Sequence, residues 1–493
     1  MPAFSVAPDA PPGGPARASG PGGLVIPAEV GGCLKRALRL IQEGKGLEAA
    51  DWVAAAAVAD IQKHNLAFLA TAVGAGFIAD VYGRCLTAEG LGVAPWRAPE
   101  GARGRPSDGG HALYVLPALA PGMAAAQRLL RLLESRPAGG GRVSVLVAEE
   151  FTRRKPECRA VGWPEAPSSE IGAALVARLR AAGIDPVILP TEGSYADGAR
   201  AGVRVARELA ADAAMFIASP ACPVQAGMAM ARVAPLQVVQ NIGAPLLTRG
   251  VDRVVYHNPR TFEVDQPELA RRGIGGVLAP SVGTDARAGL EAVALPRRAL
   301  GLPERPSRVV VCAGNKLPER MLAGTFAADL GKFLGRHPDV WWLGIGRGDL
   351  GPALAIVERE GGADARRRCV LTGALEDIRP AVKACDVFLS EYPEGGCNTV
   401  LESMACGVPA VALRPSGVAG HTASVAATLL DDGEGSGCAT VGAYWGRVAL
   451  LVSDGAAHAA ESRRQLERVR EKFSDEATRT VYERSMTPGG FAA

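Results

Sequence analysis

The sequence predicts two doubly wound, Rossmann-like α/β domains that follow a small helical domain. From residue 111 onward, short apolar runs alternate with helical segments, as a parallel sheet with crossover helices requires. A second series of the same kind begins near residue 306. Residues 25–96 contain good helix formers and no strand pattern, which indicates the helical domain.

Length and composition agree with a folded protein of several domains. The chain has 493 residues, of which 48% are hydrophobic and 21% are charged, so two or three full-sized cores are expected. The net charge of +3 gives no sign of nucleic-acid or acidic-membrane binding. Ala, Gly and Arg are abundant, which suggests a GC-rich bacterial genome. No signal peptide and no apolar run of membrane-spanning length is evident, so we expect a cytoplasmic protein without a transmembrane segment.

The cysteine, histidine and acidic residues show no metal-site pattern. The ten cysteines form no CxxC pair, which argues against a disulfide framework or a zinc site and favours free thiols in a reducing cytoplasm. The six histidines are far apart in sequence, and no Asp-x-Asp pair occurs. We therefore expect no metal site and no bound cofactor.

The domain order follows from these patterns. We predict a disordered tail over 1–24, a helical domain over 25–96, a linker over 97–110, a first Rossmann-like domain over 111–294, a second over 306–455, and a C-terminal helix over 456–486. The helical domain is either a packing cap or a module that docks a substrate. Its predicted helices include an apolar face at Leu34, Leu38, Leu40 and Ile41, and segments at 49–61 and 66–81.

The α/β elements are predicted from apolar runs and helical periodicity. In the first domain the strands are 111–116, 142–147, 186–189, 214–217, 236–240, 254–256 and 276–279, with helices at 123–134, 169–182 and 199–211. In the second domain the strands are 308–312, 340–344, 369–371 and 386–389, with helices at 321–334 and 378–384 and a charged helical stretch at 459–486.

The turn after the strand at 386–389 is the strongest candidate binding site. Two adjacent glycines, Gly395 and Gly396, precede a helix that begins near Asn398 or Thr399, both natural N-cap residues. Glycines let a ligand approach the backbone, and the free amides at a helix N-terminus favour phosphate. Glu394 and Glu402 flank this turn eight residues apart, where carboxylates can bind sugar and ribose hydroxyls.

This stretch resembles the Glu-x7-Glu motif of retaining GT-B glycosyltransferases of family 4. The matching residues are Glu394, Gly395, Leu401, Glu402, Met404, Ala405, Gly407, Pro409, Ala410 and Val411. The resemblance implies a GT-B fold and transfer of a sugar from a nucleoside diphosphate, UDP first, to an acceptor. It also implies retention of the anomeric configuration, no metal, and a C-terminal helix that crosses back to the first domain.

The same resemblance extends to the loop after the strand at 308–312. Family 4 enzymes place an Arg and a Lys five residues apart here, whereas this chain has Asn315 in the Arg position, then Lys316, and Arg320 in the Lys position. The resemblance implies catalytic roles for Glu394, Lys316 and Arg320. It implies nucleotide-sugar contacts for Gly314, Asn315, Gly373, Gly395, Gly396, Asn398, Thr399 and Glu402, with the loop 373–377 next to the base.

A segment of the first domain resembles family 41, which contains O-GlcNAc transferase and bacterial cytoplasmic N-glycosyltransferases. The similar residues are 234–245, followed by Val251 and Asp252, but the histidine that family 41 places before the second proline is absent. Family 4 enzymes have a glycine-rich turn after the first strand of this domain, near the acceptor and the donor phosphate, whereas this chain has only Pro121 and Gly122 there. The acceptor, whether glycan, lipid-linked intermediate, small metabolite or protein, stays open. The alternatives are a protein-modifying transferase, a nucleotide-sugar epimerase and a non-catalytic scaffold.

Overall fold

The computed structural model divides into two units. It describes residues 28–63, 72–91, 110–120, 123–137, 140–151, 166–241, 244–257, 259–279, 284–304, 307–314, 316–393, 395–414, 425–430 and 437–487. Unit 1 comprises Met1–Ala279 and Arg479–Ala493, and unit 2 comprises Pro280–Thr478. The predicted tail 1–24, the linker up to residue 109 and the Pro121-Gly122 turn lie outside the described residues. The predicted domain boundaries stay a prediction.

Unit 1 begins with three helices, α1 (Ala28–Gln42), α2 (Gly46–Lys63) and α3 (Ala72–Ala88). Their apolar sides share one hydrophobic core with a face of the unit 1 sheet. Polar contacts fix α3 on this unit: the Tyr82 hydroxyl donates to the Pro220 carbonyl at 2.7 Å, and Arg272 donates to the Gly76 carbonyl at 2.8 Å. The three N-terminal helices are thus part of the hydrophobic core of unit 1.

The unit 1 sheet has seven parallel strands, in the order β3-β2-β1-β4-β5-β6-β7. They are β1 (His111–Leu116), β2 (Arg142–Val147), β3 (Val187–Ile188), β4 (Ala213–Ala218), β5 (Leu236–Asn241), β6 (Arg253–Tyr256) and β7 (Gly275–Leu278). All seven predicted strands are present, with ends shifted by one residue or less. Continuous apolar runs identify them because both faces of a parallel sheet are covered.

The unit 1 helices differ more from the prediction. They are α4 (Ala124–Glu134), α5 (Ser168–Ile171), α6 (Ala173–Ala181), α7 (Tyr195–Leu209), α8 (Pro223–Met230) and α9 (Pro259–Arg272). The single helix predicted at 169–182 is wrong, because Gly172 separates α5 from α6. Helix α7 begins four residues before the predicted start, where Ser194 and Asp197 form a capping box.

Unit 2 contains a five-stranded parallel sheet in the order β10-β9-β8-β11-β12. The strands are β8 (Arg308–Ala313), β9 (Val340–Ile345), β10 (Cys369–Gly373), β11 (Val387–Leu389) and β12 (Ala410–Val411). Its helices are α10 (Ala286–Glu291), α11 (Leu317–Leu322), α12 (Phe326–Arg336), α13 (Gly351–Arg367), α14 (Arg379–Val382), α15 (Asn398–Ala405), α16 (Val425–Leu430), α17 (Val441–Ser453) and α18 (Gly455–Arg468). A hydrophobic core lies on each face of this sheet. The helix predicted at 321–334 is wrong as a single element, because residues 323–325 separate α11 from α12.

Side chains from α18 bind the last strand of unit 2. Strand β12 is at the edge of the sheet, and the buried Gln465 accepts from the Ala410 amide and donates to the Ala410 carbonyl, both at 2.8 Å. Gln465 also donates to Glu461 at 2.6 Å, which orients the amide group. At Ala410 the sheet edge is thus bonded by a side chain instead of another strand.

The charged stretch at 459–486 is not one helix. Helix α18 ends at Arg468, a single π-helical turn covers Val469–Phe473, and α19 covers Asp475–Ser485. The end of α19 belongs to unit 1, where Arg253 donates to the carbonyls of Ser485 at 2.8 Å and Thr487 at 3.0 Å. None of the described helices is both long and apolar enough to span a membrane.

Candidate functional site

The loops after β8, β9 and β10 are joined at the carboxyl edge of the unit 2 sheet. The Gly314 amide donates to the Ile345 carbonyl at 2.9 Å, and the Gly346 amide donates to the Gly373 carbonyl at 3.0 Å. A Cβ atom on Gly346 would lie 2.3 Å from the Gly314 carbonyl oxygen, so the two loops touch. Ligands of open parallel sheets bind at this edge, and the predicted residues Gly314 and Gly373 both lie on it.

The two predicted cations follow β8. Lys316 is exposed directly before α11, and within the described part of the chain its ammonium group makes no ion pair. Arg320 lies in α11 and is half-buried, with its guanidinium next to two predicted glycines. A Cβ atom added to Gly314 would lie 3.0 Å from Arg320 Nη1, and one added to Gly396 would lie 3.2 Å from the same atom. Arg320 thus reaches from the loop after β8 to the turn after β11.

The turn after β11 leads into α15 with an open first turn. Helix α15 begins at Asn398, as predicted, but its N-cap residue is Cys397, which makes no side-chain capping bond, so neither Asn398 nor Thr399 caps the helix. Asn398 is exposed, and the Thr399 hydroxyl oxygen is buried without a hydrogen bond from the described residues. A Cβ atom on Gly396 would lie 2.5 Å from this hydroxyl, so the missing side chain keeps the turn open.

Helix α15 ends at a glycine. Gly407 has φ +74°, its amide donates to Met404, and the Val408 amide donates to Ser403, both at 3.0 Å. These two bonds form a Schellman motif, which stops the helix and returns the chain to β12. The predicted strand, turn and helix are therefore present and lead into β12, with α15 packed through Val400 and Leu401 on the core.

Glu391, which the sequence analysis missed, is buried between β11 and this turn. Glu391 is 1% exposed, and its Oε2 is 3.8 Å from Arg320 Nη1. Burial raises the pKa of Glu391 to about 7, although the charge of Arg320 and the amides of Glu391 and Gly396 oppose this shift. Those amides face the carboxylate too loosely for well-formed hydrogen bonds, and neither of its oxygens has one from the described residues.

Buried aromatic residues hold the segment that connects β11 to the turn. The Tyr444 hydroxyl donates to the Ser390 carbonyl at 3.1 Å, and the Trp445 indole donates to the Tyr392 hydroxyl at 2.8 Å. Tyr392 in turn donates to Asp329 in α12 at 2.9 Å. These bonds and the T-shaped ring contact of Tyr392 with Tyr444 hold residues 390–392 against α12 and α17.

The predicted ribose-binding glutamate lies next to the loop after β10. Glu402 is half-buried in the second turn of α15. Arg379 forms a bidentate pair with Asp377 at 2.8 and 2.9 Å, and this pairing, with a further contribution from Glu402, raises the pKa of Arg379. The side chains of Asp377, Arg379 and Glu402 thus come together beside the loop that begins at Gly373. The sequence analysis did not identify Arg379.

Two predicted site residues cannot be placed. Glu394 and Asn315 lie outside the described residues, so their roles stay predictions. Gly395 is half-buried at the start of the turn. Among the residues that the structure describes, no group of three or more His, Cys, Asp and Glu side chains is placed to hold a metal ion.

Comparisons with known proteins point in one direction. Residues 307–435 match the family model "Glycosyl transferases group 1". No curated protein matches the sequence significantly. A solved structure of a mutant O-GlcNAc transferase from Thermobaculum terrenum is similar, with 18% identity and a TM-score of 0.54 over 93% of this chain and 84% of that chain.

Two further structures are similar over a smaller share of this chain. The Anabaena protein HepE in complex with UDP and glucose has 17% identity and a TM-score of 0.52 over 75% of this chain and 97% of its own. A glycosyltransferase from Rickettsia africae has 13% identity and a TM-score of 0.53 over 76% and 96%. The fold and the family match support a glycosyltransferase. The chain has the GT-B fold, and its residues 307–435 match the family model of the glycosyl transferases group 1.

Proposed function

We propose that this protein moves a sugar from a nucleoside-diphosphate sugar to an acceptor. The observation that carries the proposal is that the Arg320 guanidinium lies beside Gly396 at the start of α15, whose first turn has no side-chain cap. A guanidinium, a glycine without a side chain and free helix amides are the groups that bind a diphosphate. They stand at the sheet edge where ligands of such folds bind.

The proposed chemistry places Arg320 and Lys316 at the departing diphosphate. As the glycosidic bond breaks, negative charge develops on the leaving phosphate, and a preorganised cation stabilises this charge. A helix N-terminus contributes only about 0.3–1 kcal/mol when exposed and up to about 2 kcal/mol when partly buried. The helix can therefore position the diphosphate, but the cations must supply most of the stabilisation. Retention and metal independence rest on the family 4 resemblance of Glu394 and Glu402.

On the nucleotide side, Glu402 is proposed to bind the ribose hydroxyls. It lies beside Arg379, and the loop from Gly373 to Asp377 is available to contact the base through backbone groups. A UDP-sugar is the first donor to consider, because structures of the similar protein HepE contain UDP or UDP-glucose.

A protein acceptor is the second candidate within this function. The match to the O-GlcNAc transferase covers 93% of this chain, a share large enough to take in the N-terminal helices, whereas the match to HepE covers 75%. This observation and the family 41 resemblance of residues 234–245 favour a protein over a glycan. Transfer of a labelled sugar to a panel of peptides and glycans separates the two. Conversion of the donor without any acceptor would indicate the epimerase.

The first experiment is a thermal-shift screen against UDP-, GDP-, ADP- and dTDP-sugars. A ligand at about 100 times its dissociation constant adds about 2.7 kcal/mol to the free energy of unfolding. We expect a shift with one nucleotide family, and we expect Glu402→Ala to remove it. The control is Glu358→Ala, an exposed glutamate on α13 that should leave the shift unchanged. No shift with any nucleotide would contradict the proposed function and favour the scaffold.

A further inference from the structure

Glu391 is a buried carboxylate that the proposed function does not yet use. It is 1% exposed at the end of β11, and the nearest described cation is Arg320, 3.8 Å away. A buried carboxylate without good hydrogen bonds is costly, because the charge has lost its water. A residue with a purely structural role would be expected to have its oxygens bonded, whereas this one faces a cation of the candidate diphosphate site.

The other described ionisable groups that face Glu391 keep the same charge near pH 7. The Cys312 thiol of β8 and the Tyr444 phenol of α17 both have their pKa raised, chiefly by burial and further by the charge of Glu391. Arg320 of α11 stays positively charged. Among the described groups that face it, Glu391 is therefore the one whose charge can change in this range.

We propose that Glu391 is a positioning residue that holds the Arg320 guanidinium beside Gly396 until a donor diphosphate takes its place as the partner of Arg320. The inference rests on the proposed function. A cation so held is already at the turn when the diphosphate arrives, which lowers the cost of ordering a long side chain. Binding then costs the protein the attraction between Arg320 and Glu391.

This exchange of partners couples donor binding to proton uptake from solvent. When Arg320 binds the diphosphate, Glu391 must share this cation with the ligand and also gains an anionic neighbour. Both changes raise the pKa of Glu391 further. The pKa without donor is already about 7. Donor binding at neutral pH therefore leaves Glu391 protonated, and affinity falls as the pH rises above this value.

The test measures UDP-glucose binding by calorimetry between about pH 6 and about pH 8, where linkage to one proton weakens binding by at most about tenfold per pH unit. UDP-glucose is chosen over UDP because its diphosphate is a diester whose charge does not change in this range. If another nucleotide sugar binds in the screen instead, it becomes the probe. We expect weaker binding toward pH 8 in the wild type and constant binding in Glu391→Gln, which resembles the protonated form.

Glu461→Gln is the matched control. Glu461 is also a buried glutamate of unit 2, but it pairs with Arg447 and Arg464 on α17 and α18. This variant should keep the pH dependence of the wild type. If Glu391 were merely structural, Glu391→Gln would alter stability without changing how the affinity for the donor depends on pH.

Two results would overturn the inference separately from the proposed function. Equal pH dependence in the wild type and Glu391→Gln would remove Glu391 from the linkage. If that variant does not fold, wild-type titrations in two buffers of different ionisation enthalpy still count protons, and no uptake on binding would overturn the inference. Absence of binding to every nucleotide sugar in the screen would instead overturn the proposed function and this inference with it.

Discussion

The hydroxyl of Tyr444 donates a 3.1 Å hydrogen bond to the carbonyl oxygen of Ser390, four residues before the predicted sugar-binding position. Both residues are fully buried. Through this bond α17, on one face of the sheet, fixes where the chain leaves β11. The position of the candidate diphosphate turn therefore depends on a residue more than fifty positions later in the sequence.

We expect Tyr444→Phe to lower both stability and donor affinity. The free energy of unfolding should fall by about 1 kcal/mol, since one buried hydrogen bond is lost, and the turn should lose part of its order. Denaturant unfolding and UDP-glucose binding measure the two effects. Tyr256→Phe is the control, because it removes the 3.0 Å bond to Asp265 in unit 1 and should lower stability alone. Unchanged donor binding in Tyr444→Phe would show that the turn does not need this support.

A methyl group on Gly396 should block the donor site. Gly396→Ala would place Cβ 2.5 Å from the Thr399 hydroxyl and 3.2 Å from Arg320 Nη1, so these groups must move. We expect loss of the thermal shift with nucleotide sugars. In the control Gly446→Ala, on α17, the new Cβ meets no atom within 4 Å, and the protein should gain up to about 1 kcal/mol of stability with donor binding intact. A donor-induced shift of wild-type size in Gly396→Ala would argue against a diphosphate at this turn.

Loss of either proposed cation should slow sugar transfer. We expect Arg320→Ala to lower kcat by roughly 10²- to 10³-fold, as removal of one preorganised group that stabilises developing charge does in other enzymes. Lys316→Ala should act in the same direction. Arg336→Ala, at the end of α12, is the control, and its kcat should equal that of the wild type. Sugar transfer at the wild-type rate in Arg320→Ala or in Glu394→Ala would refute the proposed roles.

Stability should fall as the pH rises toward neutrality, in part because of Asp265. Burial raises the pKa of this carboxyl in unit 1 to about 7, above its usual value, so folding favours the protonated form. Stabilisation is full below the pKa of the unfolded chain and is lost as the pH rises to about 7, by at most about 1.4 kcal/mol per pH unit. Unfolding of Asp265→Asn at several pH values should give a flatter profile. Asp185→Asn, at an exposed position, should leave the slope unchanged.

The sequence was sufficient for the parallel strands but not for every helix. Strands β1 and β2 match their predicted bounds because a buried parallel strand is a continuous apolar run. Helix α13 was missed, since Gly361 and Gly362 interrupt its pattern and Gly362 has φ +83°. The start of α7 had a readable signal, the Ser194 and Asp197 spacing of a capping box, that was overlooked.

The candidate site was predicted in part. The glycines could be identified because a strand, a glycine turn and a helix form a local pattern, and the family 4 resemblance pointed to Arg320 and Glu402. Glu391 could not be identified, since its partner Arg320 comes from a helix that only the folded sheet brings near. Arg379 is two residues from Asp377, but the third member of this group, Glu402, is far from both in sequence and lies in α15. An acidic residue directly after a buried strand, as in Ser390-Glu391, is the one signal that pointed to Glu391.

The bond between Gln465 and Ala410 affects how the protein behaves in a crowded solution. A free sheet edge offers amides and carbonyls to the strands of other chains and promotes edge-to-edge association. At Ala410 both of these groups already bind one side-chain amide. Gln465→Ala would leave both groups without this partner on an apolar strand and weaken the attachment of α18, so aggregation on mild heating should increase even where catalysis is unaffected.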